Sequence, residues 1–436
     1  MSSLLQTVTF TAMSYGPAAI AKSASGRPIF VNGAIVGETA QVRLTDTEKK
    51  VQTGEILSIL TPSPARVPHP CGTASGCACS YGHIAYSEQV QIKQTVFADQ
   101  LARLANLSAP SLPDISADPK QASRWQLTVN VAEDGSLHLP HNPTQPISHC
   151  ANLHPTLSQL LAELNLAQPA PPPADSPFRP AEPDGESESV PISPEPLLRA
   201  LTLACNATGD CFLLLHPTGE NLPELRVESG ISVVVYRADG NLLCLAGDER
   251  LGLWLDERWW QVCPDSQFLL QPSRWQELAR QIAAWFQPTG GGGLLEVGAD
   301  AGLLTAELAG ATKEVLALVR NPAYARDFIT NLDTFNNVSL FEADYAESLA
   351  YLANEKRFFS GAVVQVPAEG LSVNELQQLQ TLRPPQLVLY SAQIARLIRT
   401  AQSFCQSGWQ LSASQVLDHL PNTHEFVGIL YLTLAQ

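Results

Sequence analysis

The sequence predicts an α/β chain of three successive parts: a small β-barrel over residues 1–63, a central α+β region with a cysteine cluster over 64–285, and a helix-covered parallel sheet over 286–436. Three observations carry this reading. Residues 7–13, 29–31, 40–44 and 55–60 are short β-rich runs separated by Gly, Ser, Asn and Asp turns, the pattern of a small barrel. Residues 64–90 hold three cysteines within nine positions and show little helical or strand periodicity. From Gly290 onward, strand-like runs at 294–297, 314–318, 338–341, 361–366 and 386–390 alternate with helical segments, which builds a parallel sheet with helices on both faces.

The elements between follow from the same signals. Apolar residues at Val90, Ile92, Val96, Phe97, Leu101 and Leu104 predict a helix over 87–104. Strands are expected at 125–131 and around His138, then a helix over 155–166. Residues 168–196, rich in Pro, Ser and Glu, cannot bury an apolar face and read as a disordered loop or linker. Strands resume at 201–205, 211–215 and 231–236, a helix is expected over 274–286, and 426–434 reads as a last strand. The tract Gly290 to Gly293 precedes its strand, so it reads as a flexible lead-in and not as a phosphate loop.

A length of 436 residues suits two or three domains. A net charge of −16 argues against broad polyanion binding, so any RNA-binding surface has to be local. No long uncharged apolar run occurs, and MSSLLQTVTF lacks the features of a secretory leader, so the expectation is a cytoplasmic monomer without membrane contact. Nine cysteines without such a leader argue for thiols, some of them able to bind a metal.

The segment GPAAIAKSASGRPIFVNGAIVGETAQVRL, followed by TPSPARVPHPC, closely resembles the TRAM domain and its exit in bacterial RNA uridine-C5 methyltransferases. The resemblance continues through the cysteine cluster, YSEQVQIKQ and ISHC to the last region, and so spans essentially the whole chain. It implies an N-terminal TRAM/OB-like barrel, a central domain and a Rossmann-like methyltransferase domain. It further implies that Cys71, Cys77, Cys79 and Cys150 supply four thiolate ligands for a 4Fe–4S cluster. Only Ala78 separates Cys77 from Cys79, one residue fewer than the family pattern, and a zinc site or ordinary thiols remain open alternatives. His83 and Tyr86 match the family's H-x-x-Y and read as packing.

Family enzymes add a cysteine thiolate to C6 of uracil, the activated C5 takes the methyl of S-adenosylmethionine, and a carboxylate removes the C5 proton. LYSAQIARLIRT aligns without gaps to the family's Y-V-S-C-N-P-x-T-L-A-R-D: Ser391, Leu397 and Arg399 match, Gln393 replaces the asparagine, and Ala392 stands at the nucleophile. Cys405, thirteen residues on, reads as core. In LPNTHEFV the base position is Val427, with Glu425 at the histidine position; Glu425 reaches the base position only through a slip in the strand, and a one-residue slip turns it to the other face. The family's D-P-P-R-x-G becomes Gln365 to Gly370, so Gln365 replaces the aspartate.

For the cofactor, LLEVGADAG stands at the family's L-D-L-Y-C-G-x-G, with Glu296 for the aspartate and Asp300 for a glycine. Gly298, Gly302 and Asp344 remain as candidate S-adenosylmethionine residues, Asp344 also reading as a helix cap, whereas Leu270 and Val319 replace polar family contacts. The leading expectation is a non-catalytic RNA-associated protein that contacts RNA through Lys22, Arg27, Arg43, Lys49 and Lys50 of the barrel. The alternatives are an active RNA methyltransferase with rearranged residues, or a scaffold for a protein partner.

Overall fold

The computed structural model describes residues 5–23, 25–46, 51–72, 77–115, 124–140, 142–147, 149–164, 197–223, 230–286 and 293–435. The Pro- and acid-rich segment 168–196, Lys49, Lys50 and glycines 290–292 lie outside them.

Five strands, β1 (Leu5–Met13), β2 (Ala18–Lys22), β3 (Pro28–Asn32), β4 (Thr39–Asp46) and β5 (Gln52–Thr61), close into a barrel in the order β1-β2-β3-β5-β4. Alternation places Val8, Phe10, Ile29, Val31, Val42 and Leu44 inside. The strand that escaped the sequence reading, β2, is alanine-rich and has a single β-branched residue; its Ala19 and Ala21 face the barrel core, where small side chains fit. Gly54 is required on β5, since a Cβ there would lie 2.4 Å from Val42 Cγ1. The barrel's exit is clamped by fully buried Glu38, which accepts from Arg66 Nε (2.6 Å) and Nη2 (2.7 Å) and from the amides of Ile35 and Ser63.

Helix α1 (Tyr86–Ala105) follows, and then a seven-stranded sheet in the order β12-β11-β10-β9-β6-β7-β8. Its strands are β6 (Gln126–Val131), β7 (Leu137–Leu139), β8 (Asn142–Pro146), β9 (Leu198–Cys205), β10 (Cys211–Pro217), β11 (Ile231–Tyr236) and β12 (Leu242–Ala246), with α2 (Pro155–Glu163) packed on β9. Hairpin β13 (Leu251–Leu255)–β14 (Arg258–Val262) and helix α3 (Pro272–Trp285) lead to the last sheet.

That sheet has the order β17-β16-β15-β18-β19-β21-β20 and contains β15 (Gly293–Val297), β16 (Val315–Val319), β17 (Val338–Glu342), β18 (Phe359–Gln365), β19 (Gln386–Ser391), β20 (Trp409–Leu417) and β21 (Val427–Leu434). The first five are parallel, and β21 inserts antiparallel between β19 and β20. Helices α4 (Leu303–Ala311), α5 (Pro322–Leu332), α6 (Tyr345–Asn354), α7 (Val373–Leu382) and α8 (Ile394–Gln406) make the crossovers. The order reverses between β15 and β18, and open sheets of this kind present ligand sites beyond the carboxyl ends of the strands at such a switch point. Among the described residues no helix is long and apolar enough to cross a membrane.

A buried ion pair ties α1 to the segment between β20 and β21. Lys93 Nζ donates to Asp418 Oδ1 (2.7 Å) and to the Leu420 carbonyl (3.2 Å), while Tyr86 Oη donates to Asp418 Oδ2 (2.9 Å). Removing one member strands a buried charge, so Lys93→Met is expected to cost about 3–5 kcal/mol of stability, and adding Asp418→Leu should restore much of it. Thermal unfolding of the single and double variants checks this; equal losses in both would contradict it.

Candidate functional site

The carboxyl edge of the last sheet forms a cleft. The turn after β15 runs through Gly298 (φ 86°), Asp300 (φ 44°) and Gly302 (φ 89°), and Gly302 caps α4. A Cβ on Gly298 would meet Gln365 Cβ at 2.8 Å and Gln365 Oε1 at 2.9 Å; one on Gly302 would meet Leu332 Cδ1 at 2.8 Å. The cleft floor combines apolar Phe268, Trp275 and Leu278 with Glu296, Asp300 and Gln365.

Its two carboxyls are electrostatically unusual. Burial pushes Glu296 up to about 7 although Thr305 Oγ1 donates to Oε2 (2.6 Å), and Oε1 has no partner among the described residues. Burial likewise pushes Asp300 up to about 7 against the hydrogen bond from Ser266 Oγ (3.0 Å). The folded state therefore holds protons that the unfolded chain releases near pH 4, so stability is highest below that pH and falls as pH rises through 7. Glu296→Gln is expected to be more stable than the parent by roughly 2 kcal/mol at pH 8 and nearly equal to it at pH 4. Thermal unfolding at both pH values tests this, and a variant destabilised at pH 8 would refute it.

Arg320, directly after β16, spans the same edge. It reaches Glu375 (2.6 Å), Glu369 (3.5 Å) and Asp344 (3.8 Å) and lies 4.2 Å above the Tyr345 ring. Asp344 itself caps α6, accepting from the amides of Ala346 (2.8 Å) and Glu347 (3.4 Å).

Beyond β19, Ser391 Oγ donates to the Val366 carbonyl (2.8 Å) and accepts from the Gln393 amide (3.0 Å). Tyr15 of the barrel reaches over this turn: its hydroxyl donates to the Ala392 carbonyl and accepts from the Ile394 amide, both at 3.3 Å, and its ring meets Phe426 edge-on. Val427, buried, opens β21.

A second cluster lies in the central region. The sulfurs of Cys71, Cys79 and Cys150 are all within 4.8 Å of one another, Cys79 and Cys150 at 3.5 Å, and the Cys77 sulfur lies within 4.8 Å of that of Cys71. His69 adjoins them: its Nδ1 accepts from the Cys71 amide (3.1 Å), which leaves Nε2 to donate to the Cys79 carbonyl (2.8 Å).

Residues 5–57 match the TRAM domain family. An uncharacterized RNA methyltransferase of Thermosynechococcus vestitus is 25% identical over 94% of this chain and 94% of its own. The 23S rRNA (uracil(1939)-C(5))-methyltransferase RlmD of Vibrio cholerae is 22% identical over 91% of this chain and 89% of its own. The crystal structure of the Pyrococcus abyssi tRNA (uracil-54, C5)-methyltransferase in complex with S-adenosyl-L-homocysteine superposes with a TM-score of 0.65 at 16% identity, covering 98% of this chain and 100% of that one. The chain is similar over nearly its whole length to proteins named as RNA methyltransferases, uracil-C5 enzymes among them, and shares their fold.

Set on the uracil-C5 methyltransferase motifs, the structure brings Ala392, Val427 and the loop ahead of it into one neighbourhood under Tyr15, with Gln365 in the adjoining cleft. Two expectations change. Glu425 reaches the base position in the sequence only through a slip in the strand, but β21 begins at Val427 and Glu425 lies in the preceding loop, its amide donating to Thr423 Oγ1 (3.1 Å), so strand alternation does not govern where it points. Tyr86 does more than pack, since it hydrogen-bonds Asp418. Val319 is buried at the end of β16 and Leu270 follows a short turn beside the cleft. Cys405 is half-buried on α8 against the apolar core. Tyr15 and Arg320 were missed: one is a lone aromatic in a turn, the other a lone arginine after a strand, and neither has a local pattern. His69 had a signal, two residues before Cys71.

Proposed function

We propose that this chain is a non-catalytic, RNA-associated member of the uracil-C5 methyltransferase lineage. The observation that carries the reading is Ala392 at the position of the nucleophilic cysteine: a methyl group has no lone pair to add to C6 of uracil. Val427 at the base position and Gln365 at the aspartate position point the same way, since neither carries a charge. Leu270 and Val319 at cofactor positions extend the loss to S-adenosylmethionine, leaving Gly298 and Gly302 as the remaining turn. The four cysteines are read as a metal site that outlasts the chemistry, and the protein acts as a monomer on RNA.

RNA association rests on the TRAM barrel, whose Lys22, Arg27 and Arg43 are exposed in an otherwise acidic chain. Lys22, Arg27 and Arg43 are the candidates for phosphate contact, Arg43 also pairing with Glu55 at 2.7 Å. Binding to rRNA and tRNA fragments should weaken with salt, and Lys22→Glu with Arg27→Glu should lower affinity at least about tenfold and flatten the salt dependence by about two phosphate contacts. Filter binding across a salt series measures both. Wild-type protein that shows no RNA affinity at low salt would sink the RNA reading and favour a protein partner, for which the exposed Trp254 and Trp259 pair on hairpin β13–β14 is a docking feature.

A further inference from the structure

We propose that Cys71, Cys77, Cys79 and Cys150 hold one tetrahedral zinc ion in place of an iron–sulfur cluster, and that this ion braces the loop between β20 and β21.

The argument starts from distances. Zinc with four thiolates at about 2.3 Å sets the sulfurs about 3.8 Å apart. A 4Fe–4S cube puts each thiolate on a different corner iron, pointing outward, and spreads the sulfurs to about 6.5 Å. Here Cys79 and Cys150 are 3.5 Å apart, and Cys71 lies within 4.8 Å of both. The Cys77 sulfur lies within 4.8 Å of that of Cys71. Three of the sulfurs are thus spaced closer to those around a single ion than to those on the corners of a cube, and Cys77 adjoins them through Cys71.

The covalent chain agrees. With only Ala78 between Cys77 and Cys79, the Cys79 amide donates to Cys77 Sγ (3.3 Å), which holds both thiols on a single turn. That short bite suits two ligands on one metal better than two ligands on separate corners. A further amide, that of Ala151, donates to Cys71 Sγ (3.3 Å) and fixes its position. His69, although within 4.8 Å of the Cys71 and Cys77 sulfurs, is not a ligand, because both of its nitrogens are engaged with the backbone of the cysteine loop. It is a positioning residue that shapes the loop.

The residues next to the ligands explain what the ion does. Ser80, beside Cys79, accepts from the His424 amide (3.0 Å) and pairs with His424 Nδ1 (3.0 Å). The Tyr81 amide donates to the Asn422 carbonyl (2.8 Å), and Asn152, two residues after Cys150, donates to the Pro421 carbonyl (2.8 Å). Two chain segments, crosslinked by one ion, thus grip residues 421–424, the stretch that carries the family's base motif.

The test uses the full chain purified without oxygen from cells grown with both iron and zinc. Elemental analysis and acid-labile sulfide should give about one zinc per chain and only traces of iron and sulfide, and cobalt exchanged into the site should show the intense visible bands of a tetrahedral thiolate complex. Cys150→Ser should bind zinc at least about a hundredfold more weakly, since even outer partners of a metal site cost 10- to 100-fold. Chelation should speed hydrogen exchange in 419–425 while leaving the barrel protected. Iron with equimolar sulfide, retained through purification or after reconstitution, would overturn the proposal, as would a chain with no metal and four free thiols. If Cys150→Ser does not fold, the cobalt spectrum of the unaltered chain decides by itself.

Discussion

S-adenosylmethionine is expected to bind this chain at least about a hundredfold more weakly than it binds a family enzyme that keeps its polar contacts, because each lost hydrogen bond to a charged group costs about 1.5–3 kcal/mol. Val319 ends β16 with a buried aliphatic side chain packed among Ala317, Ala325 and Phe328, which itself offers no hydrogen bond to a ribose hydroxyl. Gln365 packs against the Gly298 turn, within 3 Å of where a Cβ on that glycine would lie. Arg320 then ties the loops after β16 and β17 and the start of α7 together across the strand ends, and its cation is neutralised by Glu375, Glu369 and Asp344. Calorimetric titration with S-adenosylmethionine and S-adenosyl-L-homocysteine should show no heat at low-micromolar ligand. A dissociation constant of a few micromolar would contradict the account and revive the enzyme reading.

Much of the architecture was legible because periodicity reports burial. The parallel strands of the last sheet are continuous apolar runs bounded by turns, and every one expected from 294 to 390 is present within a few residues. Several strands escaped the reading, β12, β13 and β14 among them despite their apolar and aromatic runs, and others hide because their composition is not strand-like. Alanine-rich β2 is one, and β8, with two prolines in five residues, is another. In β20, Gln410, Ser412, Ser414 and Gln415 break up the apolar pattern, and partners distant in sequence supply the pairing: Gln415 donates to the Pro113 carbonyl and Ser414 bonds to Pro110.

Site residues divide along the same line. Those in linear motifs, Ala392, Val427, Gln365 and the four cysteines, could be named from the resemblance of those motifs to the family's. Those whose role comes from tertiary approach could not. Tyr15 meets Ala392 across 377 positions, and Lys93 meets Asp418 across 325. Distance also separates zinc from a cluster, since the same four cysteines serve either until their sulfurs are placed.

The central claim is that covalent catalysis on uracil has been lost, and RNA carrying 5-fluorouridine tests it most directly, because fluorine at C5 traps a cysteine–uracil adduct. General-base catalysis is worth typically about 10²- to 10⁴-fold, and absence of the nucleophile closes the covalent route altogether. Ala392→Cys alone should not restore turnover, since it sets a thiol beside Val427 and a damaged cofactor cleft, and residues that act as a unit are not rescued singly. The measurement is denaturing electrophoresis with mass spectrometry of the chain incubated with 5-fluorouridine RNA and S-adenosylmethionine, alongside transfer of labelled methyl to unmodified RNA. The account predicts no shifted band and no label above a no-protein control. A stable adduct on the unaltered chain, mapped to Cys405 or to any other residue, or labelled methyl in the RNA, would contradict it.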